Sequence, residues 1–425
     1  MIYRIFGRFL PVFAGVLGIV LGLAAFSSTL SADQHGGATT EHGKWIEAVK
    51  ATGVFFSARY RFEHVDDKGF TKNANAHTLQ THLGYKSDIH YGVSGLIELE
   101  NVEAIGSGDY NSTTNGRTNF PTVADPENSE INRVHLSYHN IPDTVVTVGR
   151  QRLVLDNARF VGDVGFRQNQ QTFDALTVAN SSLPDLGLAY VYVKQILRIF
   201  GDDNALGTLN SNSHVLHAAY SGLDFANIVG YGYFLDVDDD VPTLSSGTLG
   251  LRASGKRALG DSLTLLYTGE YAHQTDYASN PNSYGLNYYL IEPGIKYEGL
   301  TLKFDYEVLE GNSTAAFQTP LATLHKFQGW ADKFLTTPAD GIEDAYVTAK
   351  YGFGEIGFLD SLTALAVYHD FSAEDSSRDL GNEINVGVFS SFHKHFKLSL
   401  EYADFDAEDF STDSEKIWLT FGVKL

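Results

Sequence analysis

The chain has 425 residues, 52 acidic against 30 basic side chains, a formal net charge of -22 and no cysteine. That balance argues against nucleic acid as a partner, and the missing thiols exclude disulfides, thiolate metal sites and cysteine nucleophiles. Aromatic residues make up 13% of the chain, as 23 Tyr, 28 Phe and 3 Trp, a quantity that suits strands and membrane-interface girdles.

Arg4 and Arg8 open the chain, an uncharged run follows from Phe9 to Phe26, and small polar residues lead to Leu30-Ser31-Ala32. This order is the layout of a secretory signal peptide cut after Ala32, so residues 1–32 are expected to leave the mature protein. Retention as a transmembrane helix is the alternative, because the run meets the lower length limit for a span. Residues 33–52 read as a polar periplasmic lead-in, in which Trp45 to Val49 form a helical turn or two.

From Gly53 onward the dominant period is two, which places alternate side chains on opposite faces of a strand. Phe56, Ala58, Tyr60 and Phe62 share one parity; Ser57, Arg59, Arg61 and Glu63 share the other. The same split separates Phe304 from Asp305, Leu400 from Glu401, and Phe421 from Thr420. A soluble sandwich also alternates, but these segments exceed the ~5–6 residues usual in soluble domains. Short turns, such as Ile141-Pro142-Asp143, Leu183-Pro184-Asp185 and Glu298-Gly299, alternate with long polar junctions at Glu103 to Glu130, Asp236 to Ser246 and Gly311 to Asp340. Short turns at one end and long loops at the other predict an outer-membrane barrel over 53–425, with an even count of about 18 antiparallel strands. Tyr60, Phe304, Leu400 and Phe421 then face lipid, while Arg61, Asp305 and Glu401 face the lumen. The last strand keeps its alternation, the pattern read by barrel assembly machinery, but ends on Leu425 rather than an aromatic. AVYHDFSAED at Ala366 to Asp375 and LEYADFDAED at Leu400 to Asp409 echo each other two strands apart.

The densest set of charges lies between Gly149 and Leu176, with Arg150, Arg152, Arg159 and Arg167 beside Asp156, Asp163 and Asp174. A midplane arginine facing lipid costs about 2–4 kcal/mol, so Arg150 and Arg152 are expected in the lumen. Val146 and Val148 share their parity, which calls for an apolar patch of lumen or a bulge at Gly149. The candidate pore lining is Arg59, Arg61, Glu63, Arg133, Arg150, Arg152, Arg159, Asp156 and Asp163. The alternative is that these arginines fill the barrel as interior ion pairs, with Asp156 or Glu63 as partners.

This segment resembles the signature of the alginate-export outer-membrane porin family, in which GRQ, LDN followed by RF and a glycine, RQN and TFDA recur in this order; YHDF at Tyr368 to Phe371 is similar as well. The resemblance implies an 18-stranded barrel whose narrow, arginine-rich lumen passes an anionic polysaccharide, with Arg150, Arg152 and Arg159 at the pore and Asp156 and Asp163 as their partners. Phe166 stands where that family commonly has Trp.

Asp236, Asp238, Asp239 and Asp240 have the composition of a calcium loop but lack its glycine and closing glutamate. His393 and His395 share a turn with no third ligand in view, and no hydrolase triad is discernible. The expectation is therefore a non-enzymatic outer-membrane channel without metal or cofactor. Its partners are an anionic polysaccharide or small anionic solute, outer-membrane lipid and lipopolysaccharide, the assembly machinery and a periplasmic export partner. The alternatives are a general small-solute porin on the same scaffold and, from another class, a barrel enzyme.

Overall fold

The computed structural model describes residues 53–106, 108–237 and 241–425; the expectations for 1–52 and for Asp238 to Asp240 lie outside the described residues. Alternation along the chain is realised as strands β1 (Val54–Asp67), β2 (Ala74–Lys86), β3 (Val93–Ala104), β4 (Asn128–Ile141), β5 (Thr144–Gln151) and β6 (Thr172–Leu183). There follow β7 (Leu186–Leu197), β8 (Thr208–Tyr220), β9 (Asn227–Leu235), β10 (Ser246–Ala258), β11 (Leu263–Asp276) and β12 (Gly285–Tyr297). The last six are β13 (Leu300–Leu309), β14 (Ile342–Ile356), β15 (Leu359–Ser372), β16 (Asp379–Phe392), β17 (Phe396–Asp406) and β18 (Ser414–Lys424).

Each strand pairs antiparallel with its sequence neighbours in one 18-stranded sheet. The sheet closes where β1 meets β18, from Ser57 opposite Lys424 to Asp67 opposite Ser414. Closure leaves no open edge, so every strand's backbone groups find partners inside the wall, as a structure spanning hydrocarbon must arrange. The short turns gather at one end. Asp143 and Asp185 each follow a proline there and take left-handed backbone, which aspartate tolerates because its short side chain can bond the nearby chain.

The pleat sorts side chains as the alternation requires. Phe304 is 53% exposed on the outer face while its neighbour Asp305 is fully buried within. At the short-turn end the outer face carries exposed Tyr85, Tyr138, Tyr220, Tyr297, Tyr351 and Phe353, an interfacial girdle. The buried Trp418 shares the inward parity of Ser414 and Lys416 on β18. An apolar exterior, a polar interior and a closed antiparallel wall make the chain an outer-membrane β-barrel.

The chain's lack of cysteine makes the facing directly testable. Lys303→Cys should react with a water-soluble maleimide in proteoliposomes and Phe304→Cys should not, as read by mass shift; the reverse pattern would mean the register is displaced by one residue.

Candidate functional site

Two of the long-end loops do not stay outside. The first, 152–171, leaves β5 and turns into the barrel, where its backbone carbonyls are taken by arginines of the wall. Arg59 donates to Gly165 O at 2.7 Å and to Arg167 O, and Arg61 donates to Phe166 O at 2.5 Å. The Arg61 guanidinium also lies 4.1 Å above the Phe166 ring. Gln80 donates to Gln168 O, and Asn132 to the Gln170 side chain at 2.9 Å. Gln168 and Asn169 are wholly buried; the Gln168 side chain is met by Arg59 and Thr78 of the wall, and the Asn169 amide donates to Pro126 O at 2.9 Å, which offsets part of the cost of burying them.

The second loop, 310–341, leaves β13 and meets the first inside the barrel. Val161 and Leu321 form a parallel bridge, flanked by Gly162 N to Leu321 O at 2.8 Å and Thr323 N to Ala158 O at 3.0 Å. Phe160 from the first loop packs 5.1 Å from the Tyr231 ring and 5.4 Å from Tyr288 of the wall, and 6.1 Å from Phe317 of the second loop. The loops thus share one apolar contact on the side of β9 to β13. Gly329 sits against the Glu383 carboxylate with φ +81°, a close approach in left-handed backbone that suits only glycine.

Asp332 is the charged joint between the loops and the wall. It accepts from His325 at 2.8 Å, Lys416 at 3.0 Å and Arg167 at 3.1 Å. Arg167 also holds Glu63 at 3.0 Å. Burial opposes ionisation of Asp332, but Lys416, His325 and Arg167 overcome it and hold the carboxyl well below the usual carboxylate range. A second buried pair, Arg159 to Glu307 at 2.7 Å, is completed by Thr319 and Gln328 of the second loop.

The residues expected to line a pore therefore have three different placements. Arg59, Arg61, Glu63 and Arg159 lie inside the barrel and are occupied in holding loops. Arg133 is inside as well and pairs with Glu98 at 2.6 Å. Arg152 pairs with Asp163, and Asp156 meets His217 at 3.1 Å; Arg152 and Asp156 keep exposed surface, whereas Asp163 is buried. Arg150 is the correction. It follows the parity of the exposed Val148, whereas Gln151 next to it is buried, and it pairs with Asp174 at 2.9 Å directly across to β6. No register shift occurs at Gly149, so the bulge invoked to turn Arg150 inward is absent. Its cost is avoided instead by position, near the long-loop rim, and by a partner of opposite charge on the same outer face.

Asp332, Lys416, Glu307 and Lys326 do not stand out as site residues in the sequence. The second loop reads as a long polar junction, yet it carries Phe317, Leu321, Phe327, Trp330 and Phe334, more apolar surface than a loop standing in water would hold. That excess was the available signal.

No family model and no curated protein matches the sequence. The fold is similar to solved structures at low identity. Acinetobacter baumannii OccAB4 superposes with a TM-score of 0.69 at 14% identity, covering 88% of this chain and 97% of that one. The outer membrane protein OpdK of Pseudomonas aeruginosa gives 0.65 at 14%, covering 88% and 98%. OpdL of Pseudomonas aeruginosa gives 0.64 at 13%, covering 88% and 99%. These comparisons overturn the resemblance to the alginate-export family, since similarity falls on Occ and Opd barrels and no family model supports the motif. The motif's RQN and LDN-ARF elements are among the parts of the first loop that bind the wall, and that structural demand accounts for them without a shared cargo. Anionic polysaccharide as cargo and an export partner lose their support with it.

Removing the joint's charge should loosen the loops without unfolding the barrel. Leaving buried Lys416 and Arg167 short of a partner costs about 3–5 kcal/mol, so Asp332→Asn should give larger or noisier single-channel currents while the protein keeps its heat-modifiable gel migration. Because the carboxyl is depressed, the contact is fully present above about pH 3.9, the ordinary aspartate value, and is lost only as pH falls through the depressed one. Wild-type currents should accordingly show no loosening at this joint between pH 7 and 5; recordings across that range check it.

Proposed function

We propose that the chain is a passive channel for small water-soluble solutes, with a preference for anions, and that the two infolded loops define its aperture. A closed barrel with a polar interior and loops fixed across it has the form of a conduit rather than of a catalytic cleft. The similarity to the outer membrane protein OpdK and to the Occ barrels supports this reading over polysaccharide export.

The observation that carries the preference is Lys326. It stands on the second loop, exposed, with its ammonium donating to Asn157 O at 2.9 Å and no carboxylate within ion-pair distance among the described residues. Arg252 and Lys303 project from the wall toward the same space, and Glu292 and Glu270, the carboxylates beside them, are engaged by these two cations. Enclosure in the barrel, and then Arg252 and Lys303, push the Lys326 ammonium below the usual lysine value, as like charges around one aperture must. Charges lining a narrow passage act at close quarters and set selectivity, whereas exposed charges more than about 8 Å away are largely screened at physiological salt. The chain's net charge of -22 therefore does not decide which ion passes.

Planar-bilayer recording in a KCl gradient tests this. The wild type should conduct with a reversal potential on the anion side, and Lys326→Glu should move it toward cations. A folded protein that inserts without conducting would refute the channel reading. Conduction with a reversal potential indifferent to Lys326→Glu would refute its aperture.

A further inference from the structure

Below the loops, toward the short-turn end, the wall carries a second set of cations that the aperture does not use. Lys86, Lys256, Lys296, Lys350, Lys397 and Lys424 are all exposed. Each has the inward parity of its strand, shared with buried Gln80, Thr248, Tyr288, Asp344, Ala403 and Trp418 respectively. The ladders between them run without a shift as far as these positions. Lys296 and Lys350 flank Thr301 at one level, Lys256 lies opposite Leu266, Lys397 opposite Gly422 and Lys424 opposite Ser57. The six form an arc around the inner face of the mouth from β10 through β18 to β2. Among the described residues, none has a carboxylate within ion-pair distance. The carboxylates of this end, Asp88, Asp143, Asp185, Asp224, Asp261, Glu298, Glu355 and Asp360, sit at or beside the turns rather than on the inner wall that carries the arc. The opposite, long-loop end carries Asp202, Asp203, Asp379, Glu408 and Asp409, which are exposed there with no cation in ion-pair reach among the described residues.

Unpaired lysines gathered on a concave wall sum their fields in the water they enclose, because the low-dielectric barrel focuses field lines into it. A single chloride gains little from such an arc. An anion with several charges on a small frame meets several ammoniums at once, and each lysine can turn its three donors to an oxygen. The acidic far end repels the same anion.

We infer that the short-turn mouth is a binding vestibule for small multivalent anions with clustered phosphates or carboxylates, which load from the periplasmic side. As a route for current this rests on the channel reading; as a binding site it stands without it.

Tripolyphosphate is the probe, and Gln at Lys256, Lys296, Lys350 and Lys397 together is the variant, with unchanged heat-modifiable migration as the check of folding. Insertion direction is read from streptavidin block of a biotinylated Ser377→Cys protein. Tripolyphosphate should block current at a concentration at least tenfold lower from the periplasmic side than from the outer side, and the variant should lose that difference. Equal block from both sides, or a difference that survives the four substitutions, overturns the vestibule. Calorimetric titration of the detergent-solubilised barrel separates the two readings. Saturable binding that the variant loses, in a protein that carries no current, supports the vestibule and refutes the channel. No binding in the wild type refutes the vestibule whether or not current flows.

Discussion

A barrel of 18 strands encloses more volume than its own inward side chains can fill. That constraint governs the molecule. The interior must hold either a wide column of water or more of the chain, and here it holds two loops that meet at the Val161–Leu321 bridge. A loop brought indoors carries backbone carbonyls and amides that water no longer reaches, and each needs a partner. The inward face of β1 answers for the first loop through Arg59 and Arg61, and β18 answers for the second through Lys416 at Asp332. Closure of β1 on β18 places these two walls side by side, which is why the sheet's seam and the loops' anchorage fall in the same sector.

The basic residues divide by chemistry. Arginine presents five donors in a planar fork and stays charged when buried, so it suits the capture of several fixed acceptors at once. Arg59, Arg61, Arg159 and Arg167 are spent this way, on carbonyls and on carboxylates that are themselves buried. Lysine is a mobile, strongly hydrated point charge, and among the described residues Lys326 and the arc below it have no carboxylate within ion-pair distance. An arginine-rich segment therefore marks where the lumen is built, and on the proposed reading the lysines without a carboxylate partner mark where it meets solute.

Much of this was legible in the residues. Period-two alternation with short turns at alternate junctions identifies the barrel, its strand number and its lipid-facing parity, because hydrocarbon punishes a misplaced charge at every strand. The charged segment from Gly149 to Leu176 was recognisable as the place where the interior is organised. Its geometry was not, because Arg150 and Arg152 read as one strand with one parity, whereas β5 ends at Gln151 and the chain turns inward between them. The outer pairing of Arg150 with Asp174 depends on cross-strand register, which a single sequence does not display. Asp332 was illegible for a similar reason: two of its three partners, Arg167 and Lys416, lie 84 or more residues away, and only the unusual apolar content around it hinted at burial. The short motif suggested a family, but a loop under strong demand for wall contacts can carry such residues on its own account.

On the proposed reading the two loops stay joined inside the barrel while it conducts. The most direct measurement is disulfide trapping of Val161→Cys with Leu321→Cys in the otherwise cysteine-free chain, scored by mass spectrometry after oxidation in the membrane and by conductance of the same sample. Near-complete cross-linking is expected, with single-channel conductance unchanged from wild type. Failure to cross-link in a folded barrel, or cross-linking that abolishes current, would show that the loops part when the channel conducts, and would contradict that reading.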